Sequence, residues 1–322
     1  MFKDEESTLL GVTMEFCKNS GRKNREKREE LTNIMQMHLV QYEEIHTNRD
    51  YLGEFFQTIL GIPQALWILI YSFLTINDRD ETTGKTALHY YLSEGYRNIN
   101  IVKLFIQGGA DLNLKCNYGC PPLFHSIENG CRDITNLFIR AGADVNLPFL
   151  EGLTVLQMAS MRNDANIAMK LIEAGADVNA QCESGATPLS WASCNGHIET
   201  MKILIDSGAD VDLCLYGAKN QNALMQACMD GRPDAVNVLI KANANINIKD
   251  DEGNTALMLG IDIYHTDCVP LLRRAAKVVQ NLINADVDIN MRNNEGKSAL
   301  MLAAKIKHTE IVRMLKKAGG KW

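Results

Sequence analysis

Four segments, GADLN (109–113), GADVN (142–146), GADVN (175–179) and GADVD (208–212), recur at intervals of 33 residues. No other feature constrains the chain as strongly, because a fixed period of this size marks supersecondary units that bury a core only by stacking on their neighbours. Each segment follows an amphipathic run (IVKLFIQ, ITNLFIR, IAMKLIE, ETMKILID) and begins with Gly, the residue that most easily takes the left-handed conformation ending a helix. Later in the chain the equivalent positions are Asn243, Asp286 and Gly319, and Asn and Asp are the side chains that best tolerate positive φ. Successive spacings from Gly109 are 33, 33, 33, 35, 43 and 33, giving seven units, with a small insertion near 216–219 and a ten-residue one within 261–276.

The other half of each unit reads as a short helix opened by TALH (86–89), PPLF (121–124), TVLQ (154–157), TPLS (187–190), NALM (222–225), TALM (255–258) or SALM (298–301). Thr, Ser or Asn supplies the N-cap and Pro suits the first turn. Ala159, Ala192, Ala227, Gly260 and Ala303 follow as small residues that let helices approach closely, a packing role. These residues resemble the ankyrin repeat, whose G-x-TPLH-x-A and GADVN pattern is matched best at 185–212. The resemblance covers 78–320 and implies an all-α solenoid of helix-turn-helix units with short β-hairpin fingers, preceded by a helical N-terminal cap. The expected units are 78–117, 118–150, 151–183, 184–218, 219–251, 252–294 and 295–320. Fingers and inner helices would form a concave, usually protein-binding surface.

In that architecture the residue after the fourth place of the TPLH-like motif tends to face the groove. Here the series is Tyr90, His125, Met158, Trp191, Gln226, Leu259 and Leu302, apolar for an exposed stripe. Met161 and Arg162 lie at the next outward positions, and Tyr118, Phe149 and Tyr216 at finger tips. Aromatics, Met and Arg are the types enriched at interface centres, so these residues are the expected partner-binding set, with Trp191 as the anchor. Packing under the fingers is the competing fate of each. His89 and His197 read as structural ties between repeats. The insertion near 264–274 is expected to lengthen or offset a second helix; Arg273, Arg274 and Lys277 form a basic tip on it, read as a tolerated loop in preference to a contact element.

Residues 1–77 do not fit the repeat. Their pattern predicts helices near 4–18, 24–46, 50–60 and 64–76. GRKNREKREE mixes charges at helical spacing and reads as a solvated helix face. From Phe55 to Asn77 no residue is charged, and ALWILIYSFL is apolar on all sides. A buried cap on the first repeat is favoured over a membrane span, since Gly61, Pro63 and several polar side chains interrupt the run.

At 322 residues, 46% hydrophobic and 22% charged, the chain has the composition of a folded protein, and its formal net charge of −6 opposes nucleic-acid binding. Nine scattered cysteines without CxxC pairing suit free thiols, and the acidic N-terminus lacks a secretory signal, so a cytoplasmic location is expected. No phosphate loop, zinc-protease or nucleophile-elbow motif occurs. Catalytic residues, metal and cofactor are therefore expected to be none. The expected function is a noncatalytic, monomeric scaffold binding a partner protein in the groove. The alternative is an N-terminal domain with its own activity, through Cys17 with His38 or His46, or with membrane association, targeted by the repeats. The combination of helical extension and divergent repeats is similar to effectors that intracellular bacteria send into host cells, which would place it in host cytoplasm.

Overall fold

The computed structural model describes residues 76–77, 79–80, 82–214, 219–261 and 269–322. The four helices expected before residue 76, with Cys17, His38 and His46, lie outside the described residues, as do Tyr216 and residues 262–268. The chain divides into two compact units, Met1–Asp144 and Val145–Trp322.

The described part of the first unit holds two helix pairs, α1 (Ala87–Ser93) with α2 (Ile99–Gln107), and α3 (Pro122–Glu128) with α4 (Arg132–Arg140). Thr86 caps α1 in a reciprocal box with His89, which satisfies two backbone donors the first turn would leave unpaired. Helix α3 has no side-chain cap; Pro122 at its first position has no N–H to satisfy. Apolar residues at helical spacing turn inward: Leu88, Tyr91, Val102, Phe105, Leu123, Ile134 and Phe138 are almost wholly buried. Each contributes about 1.5–3 kcal/mol of transfer free energy relative to exposure.

The second unit repeats the arrangement five times. Its pairs are α5 (Val155–Met161) and α6 (Ala165–Glu173), α7 (Pro188–Asn195) and α8 (Ile198–Asp206), α9 (Ala223–Met229) and α10 (Pro233–Lys241), α11 (Ala256–Ile261) and α12 (Val269–Asn284), and α13 (Ala299–Lys305) and α14 (Thr309–Lys317). First helices pack on first helices and second on second, so the unit is two layers of α-helix. Ala159, Ala192, Ala227 and Ala303 are fully buried, the small side chains the close approach requires. Before the first helices run the fingers, where pairing among described residues is limited to isolated bridges such as Phe149 with Leu153 and Lys249 with Thr255.

Second helices end alike. The Gly175 N–H bonds to Ile172 O and the Ala176 N–H to Leu171 O, the paired bonds of a Schellman motif, with Gly175 at φ 89°. Asn243 and Asp286 take the same place at φ 61° and 58°. The next Asn clasps the following repeat: Asn146 Oδ1 accepts from Asp177 N at 2.8 Å and Asn179 Oδ1 from Asp210 N at 2.8 Å. Asn247 with Asp288 and Asn290 with Lys321 continue the ladder at 3.0 and 2.7 Å. In the sixth repeat the insertion lengthens the second helix, so that α12 has 16 residues where the others have 9.

Candidate protein-binding surface

The series expected to face the groove sits in the middle of each first helix, whose start fixes the direction of every later side chain. In the second unit Met158, Trp191, Gln226, Leu259 and Leu302 are all half-buried. Trp191 packs with Leu153 against buried Cys182 and Ala186, and its indole N–H is shielded and has no hydrogen-bond partner. Gln226 Nε2 donates to Gln221 Oε1 at 2.9 Å, holding the amide beside its finger. One turn on from Met158, Met161 is 37% exposed and Arg162 is exposed. At repeats six and seven, Met258, Leu259, Ile261, Leu302 and Ile306 floor a cleft of about 180 Å³, rimmed by finger residues including Glu252 and Glu295.

In the first unit Tyr90 is half-buried, its hydroxyl 2.9 Å from Thr83 Oγ1 and the Lys85 ammonium 5.3 Å from the ring centroid. Tyr118 is 65% exposed at its finger tip.

Two expected contact residues are placed differently. His125 is buried, with Nδ1 3.3 Å from Glu128 Oε2 and its ring edge-on to His89 and Phe124. Desolvation lowers its imidazole from the ordinary histidine range despite Glu128. Phe149 is buried too, because its finger folds back through the Phe149–Leu153 bridge and turns the next residue outward instead. Leu150, which the sequence did not single out, is 47% exposed on a short 3-10 turn with Glu151 at φ 54°. The hint was local, since a finger reading Leu-Pro-Phe-Leu cannot bury every apolar side chain. Tyr216 lies outside the described residues.

The remaining polar groups tie the stack together. His89 Nε2 lies 3.1 Å from Cys120 O, and Gln157, at the same motif position, donates to Ala186 O at 2.5 Å and Ala180 O at 3.1 Å. His197 Nδ1 lies 2.9 Å from Ser160 O. The seven described cysteines are free, and burial pushes the Cys120 and Cys194 thiols up to about 12 and about 11. Such thiols are protonated and unreactive at neutral pH. No described helix is long and apolar enough to cross a membrane; the apolar run before Asn77 falls outside that statement.

A family model described as ankyrin repeats (3 copies) matches residues 60–149, 139–214 and 212–278, and one described as ankyrin repeat matches 295–321. The chain belongs to the ankyrin-repeat family. Ankyrin repeats are generally protein–protein interaction modules. The first match begins at residue 60, ahead of the boundary at 78 read from the periodicity. No curated protein matches the chain.

Proposed function

We infer that this ankyrin-repeat protein is a noncatalytic, monomeric scaffold that holds a protein partner against the finger side of its first helices. One observation carries the reading: Met158, Trp191, Leu259 and Leu302 occupy the groove series without full burial, while Leu150 and Met161 stand 47% and 37% exposed beside them. Apolar and aromatic side chains left partly in water on several successive repeats cost solvation free energy that a partner removes. The repeats doing this span 78–320, with the boundaries given by the periodicity, and their inner face is the part that selects the partner.

Partners recovered on the immobilised full chain and identified by mass spectrometry supply the binding assay. Truncating Trp191 to Ala is expected to weaken the affinity of a recovered partner at least tenfold, about 1.4 kcal/mol, as a central aromatic anchor does. Trp322, 58% exposed and lying over Lys316 at the end of the array, is the control. Equal loss in Trp322→Ala, or none in Trp191→Ala, removes the groove reading.

A further inference from the structure

The sixth repeat differs from its neighbours in charge as well as length. Four second helices, α4, α8, α10 and α14, carry an acid in their first turn at Asp133, Glu199, Asp234 and Glu310, complementing the positive end of the helix, and α2 and α6 carry none. Aligned on the Schellman acceptors Leu239 and Leu282, the equivalent of Asp234 in α12 is Lys277. The seven additional residues of α12 precede this point and include Arg273 and Arg274. Three cations therefore cluster ahead of and at the point where the neighbouring second helix carries its acid.

Packing aims two of them at one place. Asn281 Nδ2 donates to Pro233 O at 2.9 Å, pinning that face of α12 to the first residue of α10. Lys277 and Arg274 lie four and seven residues before Asn281, on the same face, about 6 and 10 Å further along the axis. They thus project past the start of α10 into a cleft of about 290 Å³, together with Asn195, Gly196, Gly231 and Arg232. Arg232 Nε donates to Cys194 O at 2.9 Å, which fixes the guanidinium and leaves its other donors available. Asp234 is the one carboxylate among the cleft residues, and among the described residues none of the three cations forms an ion pair. Like charges gathered in a concavity repel one another, and an anion placed between them reverses the sign of that energy.

We propose that the insertion of repeat six builds a binding site for a small, soluble phosphate-bearing anion, held by Arg232, Arg274 and Lys277 in the cleft between the turns of repeats four and five and helix α12. Guanidinium groups match phosphate oxygens with paired donors, and the ammonium adds a point charge. The site lies at the end of the first helices away from the fingers, so it stands independently of the groove.

The test uses the full chain titrated with inorganic phosphate, and with acetate at equal ionic strength, following amide shifts of Gly196, Gly231 and Arg232. Saturation by phosphate at a single site, with roughly tenfold weaker affinity in Arg274→Gln and loss in Lys277→Glu, is the expected result. Lys277 is exposed and aligns with Asp234 of α10, so Lys277→Glu is expected to fold, and a circular-dichroism melt checks it. Lys241→Gln, at the far end of α10, should bind as wild type. Absence of saturation, an equal response to acetate, equal loss in Lys241→Gln, or undiminished affinity in both cleft variants overturns the proposal. Vesicles containing phosphatidic acid separate a lipid source: Lys277-dependent binding there, with none to inorganic phosphate, overturns the soluble ligand.

Discussion

Burial holds the His89 imidazole at about 4, well below the ordinary histidine value, with the Cys120 carbonyl only partly offsetting desolvation. Its Nδ1 accepts from the Thr86 N–H at 3.2 Å, so the neutral ring carries its proton on Nε2, a tautomer assigned from the hydrogen bonds. A folded-state value below the unfolded one means stability is complete above about pH 6.5 and is lost as pH falls toward 4. The loss is on the order of 3 kcal/mol. Gln157 makes the same two-way connection without titrating, so His89→Gln should keep the neutral-pH stability and lose the larger part of the drop between pH 7.5 and 5 in denaturant midpoints, His125 supplying the remainder. A variant midpoint that falls as steeply as wild type would remove His89 as the source.

Trp191 separates stability from recognition. Its unpartnered N–H costs about 1–3 kcal/mol in desolvation, so Trp191→Phe, which keeps an aromatic ring and removes the donor, should leave the melting temperature unchanged or raised, the lost donor offsetting the smaller ring. Trp191→Ala should lower stability by about 2 kcal/mol through lost packing on Leu153, Cys182 and Ala186. A melting temperature that drops as far in Trp191→Phe as in Trp191→Ala would contradict the cost assigned to the N–H.

At the scale of the element, the helix ends were legible in the sequence because their chemistry is local. Gly, Asn and Asp at one position of each period imply positive φ whatever packs nearby, and Asn243 and Asp286 have it. Asn243→Gly should therefore raise stability by roughly 0.5 kcal/mol in chemical denaturation, since Gly takes this conformation without strain. Gly260 is different. It replaces the Ala of other repeats, and a Cβ there would lie 2.9 Å from Val278 Cγ1 and 3.4 Å from Cys228 Cβ. The Val278 side chain of α12 therefore leaves no room for a methyl group at this point of α11. Gly260→Ala is expected to cost about 1–2 kcal/mol, overpacking outweighing the better helix propensity, and a more stable variant would contradict this contact.

In the whole molecule, stability is close to a sum of repeat and nearest-neighbour contributions, so damage stays local. The Asn ladder supplies a direct test. Asn179 accepts from Asp210 N and its amide lies 3.4 Å from Gly208 O in the next repeat. Asn179→Ala should cost about 1 kcal/mol and speed amide exchange mainly in α6, α8 and the turns they share, leaving α13 and α14 protected. Uniform loss of protection across the second unit would show instead that it opens as one cooperative body.

The sequence by itself determined the period, the seven-fold count, the caps and the histidines that tie one repeat to the next. All of these rest on interactions within a few residues or at one fixed offset, which a repeating string displays directly. Only the tertiary structure decided which of the apolar groove and finger residues meet water. His125 and Phe149 are buried, Leu150 is exposed, and Trp191 is half-covered, because exposure depends on the neighbouring side chains that happen to fill the space above each one. It also decided where the insertion leads: expected to lengthen or offset the second helix, it lengthens α12 to 16 residues and carries Arg274 and Lys277 to a cleft beside Arg232. Arg232 is remote in sequence from Arg274 and Lys277, and it is the packing of α12 on α10 that brings the three charges together.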